Sequence, residues 1–461
     1  MTCLIDPVLL ARLQFALTAM FHMLWPVLTI GLALFLVTVE ALWLKSGDAD
    51  YYRHARFWSR LLLLNFAVGV VSGLPLEFEF GANWAPFAVM SGDFFGNILG
   101  FEGAMAFMLE AGFVGIMAMG WTRVPRALHF FATCMVALGA SLSAFWILVA
   151  NAWMQTPAGG HIEAGRFVVD DYWRAIFNPD ALTGAVHMWL ACLETSLFVI
   201  AGLSAWYLLQ RRHVGLFTKS FRLALLAALV VAPLQVWSGD ASGRAVFRYQ
   251  PAKGAALEGH WETNRPGTGA DWALLAWPDA RRQGNDWSLA LPDGLSLLAT
   301  GSLEGRVRGL REFPVADQPP ALPLLFYAFR LMVLIGCWFL LLSLWTLRRG
   351  WRFSPAGGNR VLTRRLLRVW VASVPLGYVA VECGWFVREV GRQPWIVYGL
   401  LRTATAASVL PATGVAATLL VYAVLYAVLA ATFVLFARRI LRQGPEPVEV
   451  PVAAAGAPVP G

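Results

Sequence analysis

The chain has 461 residues, of which 58% are hydrophobic and only 14% are charged. Soluble domains contain roughly 45–50% apolar and about 25% charged residues, so this composition excludes an ordinary soluble protein and a disordered chain. The formal net charge is +8, from 36 Lys and Arg against 28 Asp and Glu. Because these basic residues lie between apolar segments, they indicate membrane topology rather than nucleic-acid binding. We therefore predict an all-α, polytopic membrane protein.

Nine segments in chain order are apolar enough to cross a bilayer, since a spanning helix needs roughly 20 mostly apolar residues. They cover residues 13–39, 61–76 (continuing to about 83), 94–120, 127–155, 181–210, 223–238, 322–347, 369–387 and 412–437. This pattern predicts about nine transmembrane helices. The first segment is too long for the apolar core of a signal peptide, so we expect it to remain in the protein.

Every second connection between these segments is basic, and this alternation predicts the orientation of the chain. The basic residues are Lys45, Arg53, Arg56 and Arg60 after helix 1, Arg123 and Arg126 after helix 3, Arg211, Arg212, Lys219 and Arg222 after helix 5, seven arginines at 348–368 after helix 7, and Arg438, Arg439 and Arg442 after helix 9. Cytoplasmic loops carry the excess of Lys and Arg. We therefore predict an N-terminus outside and a C-terminus in the cytoplasm.

The segments divide the chain into four regions. Residues 1–238 hold predicted helices 1–6, and residues 321–443 hold helices 7–9. Between them, residues 239–320 form the only long connection, on the predicted outer side, and a loop of that length is usually functional. Residues 444–461 are rich in Pro, Ala and Val, which predicts a disordered cytoplasmic tail.

Ionisable side chains inside the predicted helices are candidates for function, because a charge in the bilayer is costly. These side chains are His22, Glu102, Glu110, His129, His187, Glu194, Arg330 and Glu382. At a rise of about 1.5 Å per residue, His22, His187 and Glu382 fall at a similar depth in the predicted outer half of the bilayer. Met332 falls at the same depth. Together they form one layer of possible ligands.

The chemistry of this layer allows more than one interpretation. His and Met are axial ligands of haem iron: a His–Met pair makes an electron-transfer haem, whereas a lone His leaves a position open for oxygen. A carboxylate can serve as a ligand, as a proton donor or as the partner of Arg330. Each residue taken singly can also be structural, since His can bond a neighbouring helix and Met can fill the core. The layer alone therefore fits a haem protein or a proton-coupled transporter.

The remaining intramembrane groups are placed by depth and helix face. Glu102 enters at the depth of the layer, and Glu110 lies about 12 Å further toward the predicted cytoplasmic side. His129 lies near the inner end of helix 4, where we expect it to snorkel or cap. Glu194 shares a helix face with His187, so proton movement and packing are both open to it.

Several longer strings of residues resemble one protein family. In chain order they are 12–22 (RLQFALTAMFH), 77–84 (EFEFGANW), 102–110 (EGAMAFMLE), 146–155 (WILVANAWMQ), 329–332 (FRLM), 381–385 (VECGW) and 391–395 (GRQPW). This collinear set, from about residue 12 to about residue 440, resembles subunit I of cytochrome bd-type quinol oxidases. The resemblance implies a terminal oxidase that oxidises membrane quinol near the outer face and reduces dioxygen to water.

The resemblance also implies the cofactors and their ligands. His187 and Met332 match the axial ligands of a low-spin haem b, and Arg330 matches a residue beside that haem. His22 and Glu382 match ligands at a high-spin pair made of a second haem b and a haem d. Which of the two high-spin haems each residue holds is left open.

Four further residues acquire roles from the resemblance. Glu102 matches an acid close to the oxygen site, and Glu110 matches an acid on the proton route. In the outer loop, Lys253 and Glu258 match a quinol-binding pair, and the loop resembles the short type. Residues 391–399 resemble the cyanide-insensitive branch, in which the third haem is b rather than d.

The implied enzyme separates charge without pumping protons. Quinol releases protons outside, while protons for water come from the cytoplasm through Glu110 and Glu102. The implied partners are a second membrane subunit and a very small accessory subunit, in a bacterial cytoplasmic (inner) membrane. A proton-coupled transporter is the alternative, but it needs neither the His layer nor the long loop. A dihaem cytochrome b would need paired histidines on two helices, which the sequence does not show.

Overall fold

The computed structural model describes residues 6–350 and 363–447, and within these ranges nine helices are long and apolar enough to cross a membrane. They are α1 (Pro7–Ser46), α2 (Ala49–Ala82), α3 (Ala85–Met119), α4 (Arg126–Gln155), α5 (Ala181–Leu209), α6 (Val214–Tyr249), α7 (Leu322–Gly350), α8 (Arg364–Val390) and α9 (Ala412–Gln443). The prediction of a polytopic, all-α protein is confirmed. Arg352, Arg360 and tail residues 448–461 lie outside the described residues.

The junction between α1 and α2 shows how local sequence sets the helix ends. Gly47 ends α1 in the left-handed conformation, with a φ of 67°, which glycine adopts because it has no Cβ. Asp48 then caps α2 by accepting a hydrogen bond from the backbone N–H of Asp50 at 2.9 Å. The reversal needs only these two residues, so α1 and α2 pack against each other as an antiparallel pair.

Two of the membrane helices depart from regular α-geometry. In α3, Glu102–Phe107 form a π-helical turn, a feature that is frequent at functional sites. In α8, the chain leaves the helix after Ala372 and resumes it at Leu376, and Pro375 lies in the gap. Predicted site residues lie in both helices: Glu102 begins the π-turn, and Glu382 follows the break in α8.

The sixth helix is longer than its apolar segment, because it continues past residue 238 to Tyr249. Polar pairs support the extension, since Arg244 and Asp240 form an ion pair at 3.0 Å one helical turn apart. The region boundary predicted at 238 therefore falls inside α6, and the connection to α7 begins at Gln250.

The long connections hold regular structure of their own. Three antiparallel hairpins pair β1 (Gly160–Glu163) with β2 (Arg166–Val169), β3 (Trp272–Asp279) with β4 (Gly284–Leu291), and β5 (Trp395–Val397) with β6 (Leu401–Arg402). Short helices occur at Tyr172–Ile176, Pro251–Glu258, Gly294–Thr300 and Thr403–Ala406, with 3₁₀ turns at Leu310–Glu312 and Val315–Asp317. These elements follow α4, α6 or α8, so they gather at one end of the bundle, here called the loop end. The other end, where the connections are basic, is the basic end.

The central helices of the bundle are α1 and α5. In the most apolar stretch of α1, 67% of the residues are buried inside the protein, and in that of α5, 61% are buried. The corresponding share in α9 is 6%. The main apolar cluster contains the fully buried Trp58, Phe198 and Trp370. A second cluster packs nearer the loop end around Phe94 and Trp153. The apolar surface of α9 therefore faces outward, toward lipid or another membrane subunit.

Candidate functional site

His22 lies in a narrow pocket between α1 and α2. Its Nδ1 atom is 3.0 Å from the Oγ atom of Ser72. The next residue is Gly73, and a Cβ there would stand only 2.9 Å from His22 Cε1. The absence of a side chain at Gly73 is therefore what allows the imidazole to lie against α2.

His187 lies in a similar pocket between α5 and α6. Its Nδ1 atom is 3.1 Å from the Oγ atom of Ser238. Here too a glycine follows the serine, and a Cβ at Gly239 would stand 3.4 Å from His187 Cε1. Two predicted ligands on different helices thus share one local arrangement of imidazole, serine and glycine.

Met332 lies on α7 against a glycine of α8. A Cβ at Gly384 would stand 3.1 Å from the Met332 sulfur, so the thioether approaches the α8 backbone closely. The helices α5, α6, α7 and α8 contact one another in a closed ring. His187 and Met332 belong to two helices of this ring, and Gly239 and Gly384 belong to the other two. Helix bundles hold cofactors in this manner, between side chains of facing helices.

Glu382 is a buried acid without a partner. Neither of its carboxylate oxygens has a hydrogen-bond partner within the described residues, although both are shielded from solvent. Buried polar atoms are nearly always paired, so this carboxylate is suited to bind a group from outside the chain. No cluster of three or more His, Cys, Asp or Glu in the described part of the chain could hold a bare metal ion. A haem iron needs only one or two protein ligands, so a single carboxylate is sufficient.

Glu102 and Glu110 lie along the interface between α3 and α4. Ser143 on α4 donates a hydrogen bond to Glu102 Oε1 at 2.6 Å. Glu110 is buried, and a Cβ at Gly139 would stand 2.9 Å from the Glu110 Cβ. Ser143 and Gly139 are one turn apart on α4. The two acids therefore follow each other along the same pair of helices, with Glu110 nearer the basic end.

A compact apolar cluster joins α1, α5 and α8, the helices that carry the predicted ligands His22, His187 and Glu382. Its buried members, from α1, α4, α5 and α8, are Val27, Ile30, Ala140, Cys192 and Val381. Val381 directly precedes Glu382, and Met188, which packs against the cluster, directly follows His187. The ligand-bearing parts of these helices are thus held together by apolar packing.

Arg330 on α7 is bound by the long connection. Its guanidinium donates to Glu258 Oε2 at 2.7 Å, and only 12% and 6% of the two side chains are exposed. Its other bonds go to the carbonyls of Leu257, Ala273 and Leu274. The guanidinium carbon also lies 3.5 Å from the centre of the Phe326 ring. Two predicted site residues that the sequence assigned to different sites, Arg330 and Glu258, are therefore direct partners.

Lys253 lies on the other side of the helix Pro251–Glu258, hereafter the loop helix. It is five residues from Glu258, which corresponds to a rotation of about 140° around an α-helix. Its Nζ atom donates to Gln155 Oε1 at 3.2 Å and to the Arg388 carbonyl at 2.9 Å. Only 4% of Lys253 is exposed. The predicted quinol-binding pair thus faces in two directions, Glu258 toward α7 and Lys253 toward α4 and α8.

Burial shifts the pKa of both Lys253 and Glu258. It lowers the pKa of Lys253 to about 7, and the nearby charge of Arg388 adds to this effect. It raises the pKa of Glu258, while the positive charge of Arg330 partly offsets the increase. Both shifts move the pKa toward neutral pH, where proton exchange with a bound substrate is effective.

His129 is buried, so the prediction that it snorkels was wrong, whereas its Nε2 atom lies 3.1 Å from the Met117 carbonyl in the last turn of α3, which is a capping contact. It is 2% exposed, and its Nδ1 atom lies 2.6 Å from Oε1 of Glu40, which is 1% exposed. Thr133 donates to the other Glu40 oxygen at 2.7 Å. The snorkelling prediction failed because Glu40 lies one position beyond the predicted apolar segment 13–39, so its carboxylate was not considered as a buried partner. This cluster is internally satisfied and needs no ligand.

Sequence reasoning also missed the side chains around the predicted ligands. Ser72 and Ser238 were not identified, although each begins a Ser-Gly pair inside an apolar helix, which is the signal that was available. Gln155 was quoted only as the end of a motif, yet it bonds Lys253 and also accepts from Gln250 Nε2 at 3.0 Å. Glu194 is buried on α5, and one of its oxygens lacks a partner.

Comparison with known proteins identifies the family. The family model of cytochrome bd terminal oxidase subunit I matches residues 10–445. Cytochrome bd ubiquinol oxidase subunit 1 of Bacillus subtilis (strain 168) is 34% identical over 95% of this chain and 94% of its own length. Cytochrome bd-II ubiquinol oxidase subunit 1 of Escherichia coli (strain K12) is 32% identical over 96% of this chain and 98% of its own length.

A solved structure agrees with these relatives. A chain of the bd oxidase from Geobacillus thermodenitrificans superposes with a TM-score of 0.87 and 31% sequence identity, covering 95% of this chain and 99% of that chain. The bounds of the family-model match, residues 10–445, take in the loop end and at least part of each of the nine membrane helices found in the described residues. The assignment of the chain to a family does not depend on the roles of the individual ligands, which remain predictions. The chain belongs to the family of cytochrome bd terminal oxidase subunit I.

Proposed function

We propose that this chain, a multi-pass subunit of a haem-containing quinol:oxygen oxidoreductase, oxidises quinol at its loop end and supports dioxygen reduction to water inside the bundle. The observation that carries the proposal is the buried, unpartnered carboxylate of Glu382, on a helix packed with those that carry His22 and His187. A proton-coupled transporter is not favoured, because nothing in transport requires such a set of iron ligands.

The side chains present fit haem. His187 and Met332 lie on the four-helix ring with glycines on the facing helices, and Glu382 offers two free oxygens. We assign His187 and Met332 to a low-spin haem b. We assign His22 and Glu382 to a high-spin pair, a second haem b and either haem d or a third haem b. When bound, haem supplies one-electron chemistry and, where a coordination position is open, dioxygen binding.

Quinol binding is proposed at the loop helix. A cavity of about 450 Å³ borders Glu258 and is also lined by His260, Trp261 and Asp271. Small-molecule sites usually have about 300–1,000 Å³, so the cavity is large enough for a quinol ring. Glu258 would accept a proton from the quinol hydroxyl. Arg330 would hold the carboxylate in place while the raised pKa of Glu258 favours proton uptake.

Lys253 would assist from the other side of the loop helix. A neutral lysine amine has two N–H donors and one lone pair. Gln155 and the Arg388 carbonyl can use both donors, which leaves the lone pair to take up a proton. This form dominates above pH 7, because burial lowers the pKa of Lys253 to about 7.

Protons for water formation are proposed to enter along α3 and α4. Glu110 would pass protons to Glu102, whose carboxylate Ser143 holds near α4. By the distribution of Lys and Arg, the basic end faces the cytoplasm, the N-terminus lies outside and the C-terminus lies inside. Inward proton movement from the basic end, with proton release at the loop end, would build a gradient by charge separation without a pump.

The proposed setting is the bacterial cytoplasmic (inner) membrane, in complex with oxidase subunit II. The outward apolar surfaces of α9 and α3, which are 6% and 17% buried in their most apolar stretches, are available for a partner subunit or lipid. A very small accessory subunit is also proposed.

The proposal is tested on the purified complex by a reduced-minus-oxidised optical spectrum, with analysis of the extracted haems and quinol-dependent oxygen uptake. Haem b bands with oxygen uptake support the proposal. A chlorin-type band identifies the third haem as d, and its absence identifies it as b. In the same assay, Met332→Leu should remove the low-spin signal. A folded complex without haem would overturn the proposal and favour the transporter.

A further inference from the structure

The repeated Ser-Gly pairs beside His22 and His187 have a consequence for the haem ligands. Each serine has two hydrogen-bond contacts, one with a histidine and one with its own helix. Ser72 Oγ lies 2.9 Å from the carbonyl of Gly69, and Ser238 Oγ lies 3.0 Å from the carbonyl of Gln235. In both cases the carbonyl belongs to the residue three positions earlier.

The proton count of a hydroxyl decides the direction of the bond to histidine. A serine has one O–H donor, and a carbonyl oxygen can only accept. The single hydroxyl proton of Ser238 is therefore used on Gln235, so its oxygen is an acceptor toward His187. The same reasoning applies to Ser72 and His22. Each histidine must then carry its proton on Nδ1 and leave Nε2 unprotonated.

The other ring nitrogen is free in both cases. Neither Nε2 takes part in a hydrogen bond within residues 6–350 and 363–447. The glycine after Ser72 gives the His22 ring its space, since a Cβ there would stand 2.9 Å from His22 Cε1, whereas a Cβ at Gly239 would make an ordinary van der Waals contact with His187 Cε1 at 3.4 Å. In both pockets the serine decides which ring nitrogen is protonated, and at His22 the glycine also decides how closely the ring approaches α2.

We propose that Ser72 and Ser238 are positioning residues that present Nε2 of His22 and His187 to the two irons by accepting the Nδ1 proton. The proposal rests on the proposed haem function and adds residues to it. An acceptor for the outer N–H makes an imidazole a stronger electron donor, and losing such a partner typically weakens metal binding 10–100-fold.

The two serines should not matter equally. At His22 the Gly69 carbonyl, which lies 2.9 Å from Ser72 Oγ, also interacts with the ring, so a second acceptor remains nearby if the serine is lost. At His187 the serine is the only hydrogen-bond partner of the ring among the described residues. We therefore expect the larger effect from Ser238→Ala and the smaller effect from Ser72→Ala.

The test uses the full complex and a matched control. Ser238→Ala and Ser72→Ala are compared with Ser204→Ala, a buried serine of α5 that bonds only its own helix, to the Ile200 carbonyl at 2.7 Å. Ser238→Thr keeps the hydroxyl and should restore the wild-type values. The readouts are haem content per complex and the midpoint potential of the low-spin haem from a potentiometric titration.

For Ser238→Ala we expect either a lower haem content per complex or a low-spin haem whose preference for ferric iron is about tenfold weaker. A tenfold weaker preference corresponds to a midpoint potential about 59 mV higher for one electron. The control should stay at wild type.

For Ser72→Ala, the iron–histidine stretching frequency of the ferrous high-spin haem should fall. If Ser238→Ala does not assemble, Ser238→Cys, which keeps the volume but is a weak acceptor, gives the same comparison.

These measurements distinguish failure of the proposed haem function from failure of the proposed role of the serine. A wild-type complex without haem would refute the proposed function itself. A wild-type complex with haem in which Ser238→Ala equals Ser204→Ala in occupancy and potential would refute the role of the serine alone. An equal loss in Ser238→Ala and Ser238→Thr would also refute it, because the hydroxyl would then be irrelevant.

Discussion

Two buried carboxylates, Glu258 at the loop end and Glu382 in the membrane interior, have opposite surroundings. At the loop end, Glu258 is buried but bonded to Arg330 at 2.7 Å and to the indole N–H of Trp272 at 3.1 Å. In the interior, Glu382 is buried with no partner for either oxygen within the described residues. The same side-chain type is thus paired in one region and left open in the other.

This difference separates a structural requirement from a binding requirement. Removing one partner of a buried ion pair leaves an uncompensated charge, so Arg330 and Glu258 depend on each other for stability. An unpaired buried carboxylate gains nothing from the chain itself, and this is why we propose that a group from outside the chain binds at Glu382. Substitutions in the two regions should therefore affect different measurements.

The largest effect is expected from Glu382→Ala. We expect the variant to lose one high-spin haem and its oxygen uptake to fall by more than about 100-fold. This fall is larger than the roughly 10–100-fold loss that is typical when only a residue supporting a metal ligand is removed. The measurement is haem content and oxygen consumption of the purified complex. The matched control is Glu194→Ala, which removes a buried acid from α5 that has one unpartnered oxygen. Full haem occupancy in Glu382→Ala would contradict its role as a ligand.

The next largest effect is expected from Arg330→Leu, which should lower the free energy of unfolding of the complex by about 3–5 kcal/mol because Glu258 is left buried and unpaired. Thermal unfolding checks this value. The double variant Arg330→Leu, Glu258→Leu should recover most of the stability, since no charge is then stranded. A single variant as stable as wild type would show that the loop end does not depend on this pair.

A smaller effect is expected from Glu110→Ala, on rate rather than on cofactors. Loss of a proton-transfer group should slow oxygen reduction by about 100-fold while the haem spectrum stays unchanged. Stopped-flow oxygen reduction measures the rate, and the optical spectrum of the same sample controls for haem content. A fully active Glu110→Ala variant would remove Glu110 from the proton route.

The smallest effect is expected in the pH dependence of quinol oxidation. Burial lowers the pKa of Lys253 to about 7, so the amine is charged below that pH and neutral above it. The rate should rise through an inflection near pH 7 that is absent in Lys253→Met. Because the unfolded chain binds this proton more tightly, with a pKa of 10.5, the free energy of unfolding should also rise with pH from about 7 toward 10.5. Lys219→Met, at the basic end, is the control and should keep the inflection.

The membrane helices and the chemical types at the site follow from the sequence alone. Backbone groups in lipid must be satisfied within the helix, so long apolar segments can only be spanning helices. The Gly47–Asp48 turn between α1 and α2 is equally local, because a left-handed glycine and an aspartate cap require no distant contact. The positions of His22, His187 and Glu382 stood out because ionisable groups in a membrane are costly.

Which side chains meet, in contrast, depends on how the helices pack. Arg330 and Glu258 are 72 residues apart, and His187 and Ser238 are 51 residues apart. Such contacts depend on how each helix is rotated about its axis. A central helix such as α5 is apolar on all sides, so its hydrophobic pattern does not specify that rotation. Packing of the whole bundle sets it, and this is why the pairing of Arg330 with Glu258 and the serine beside each histidine emerged only from the fold.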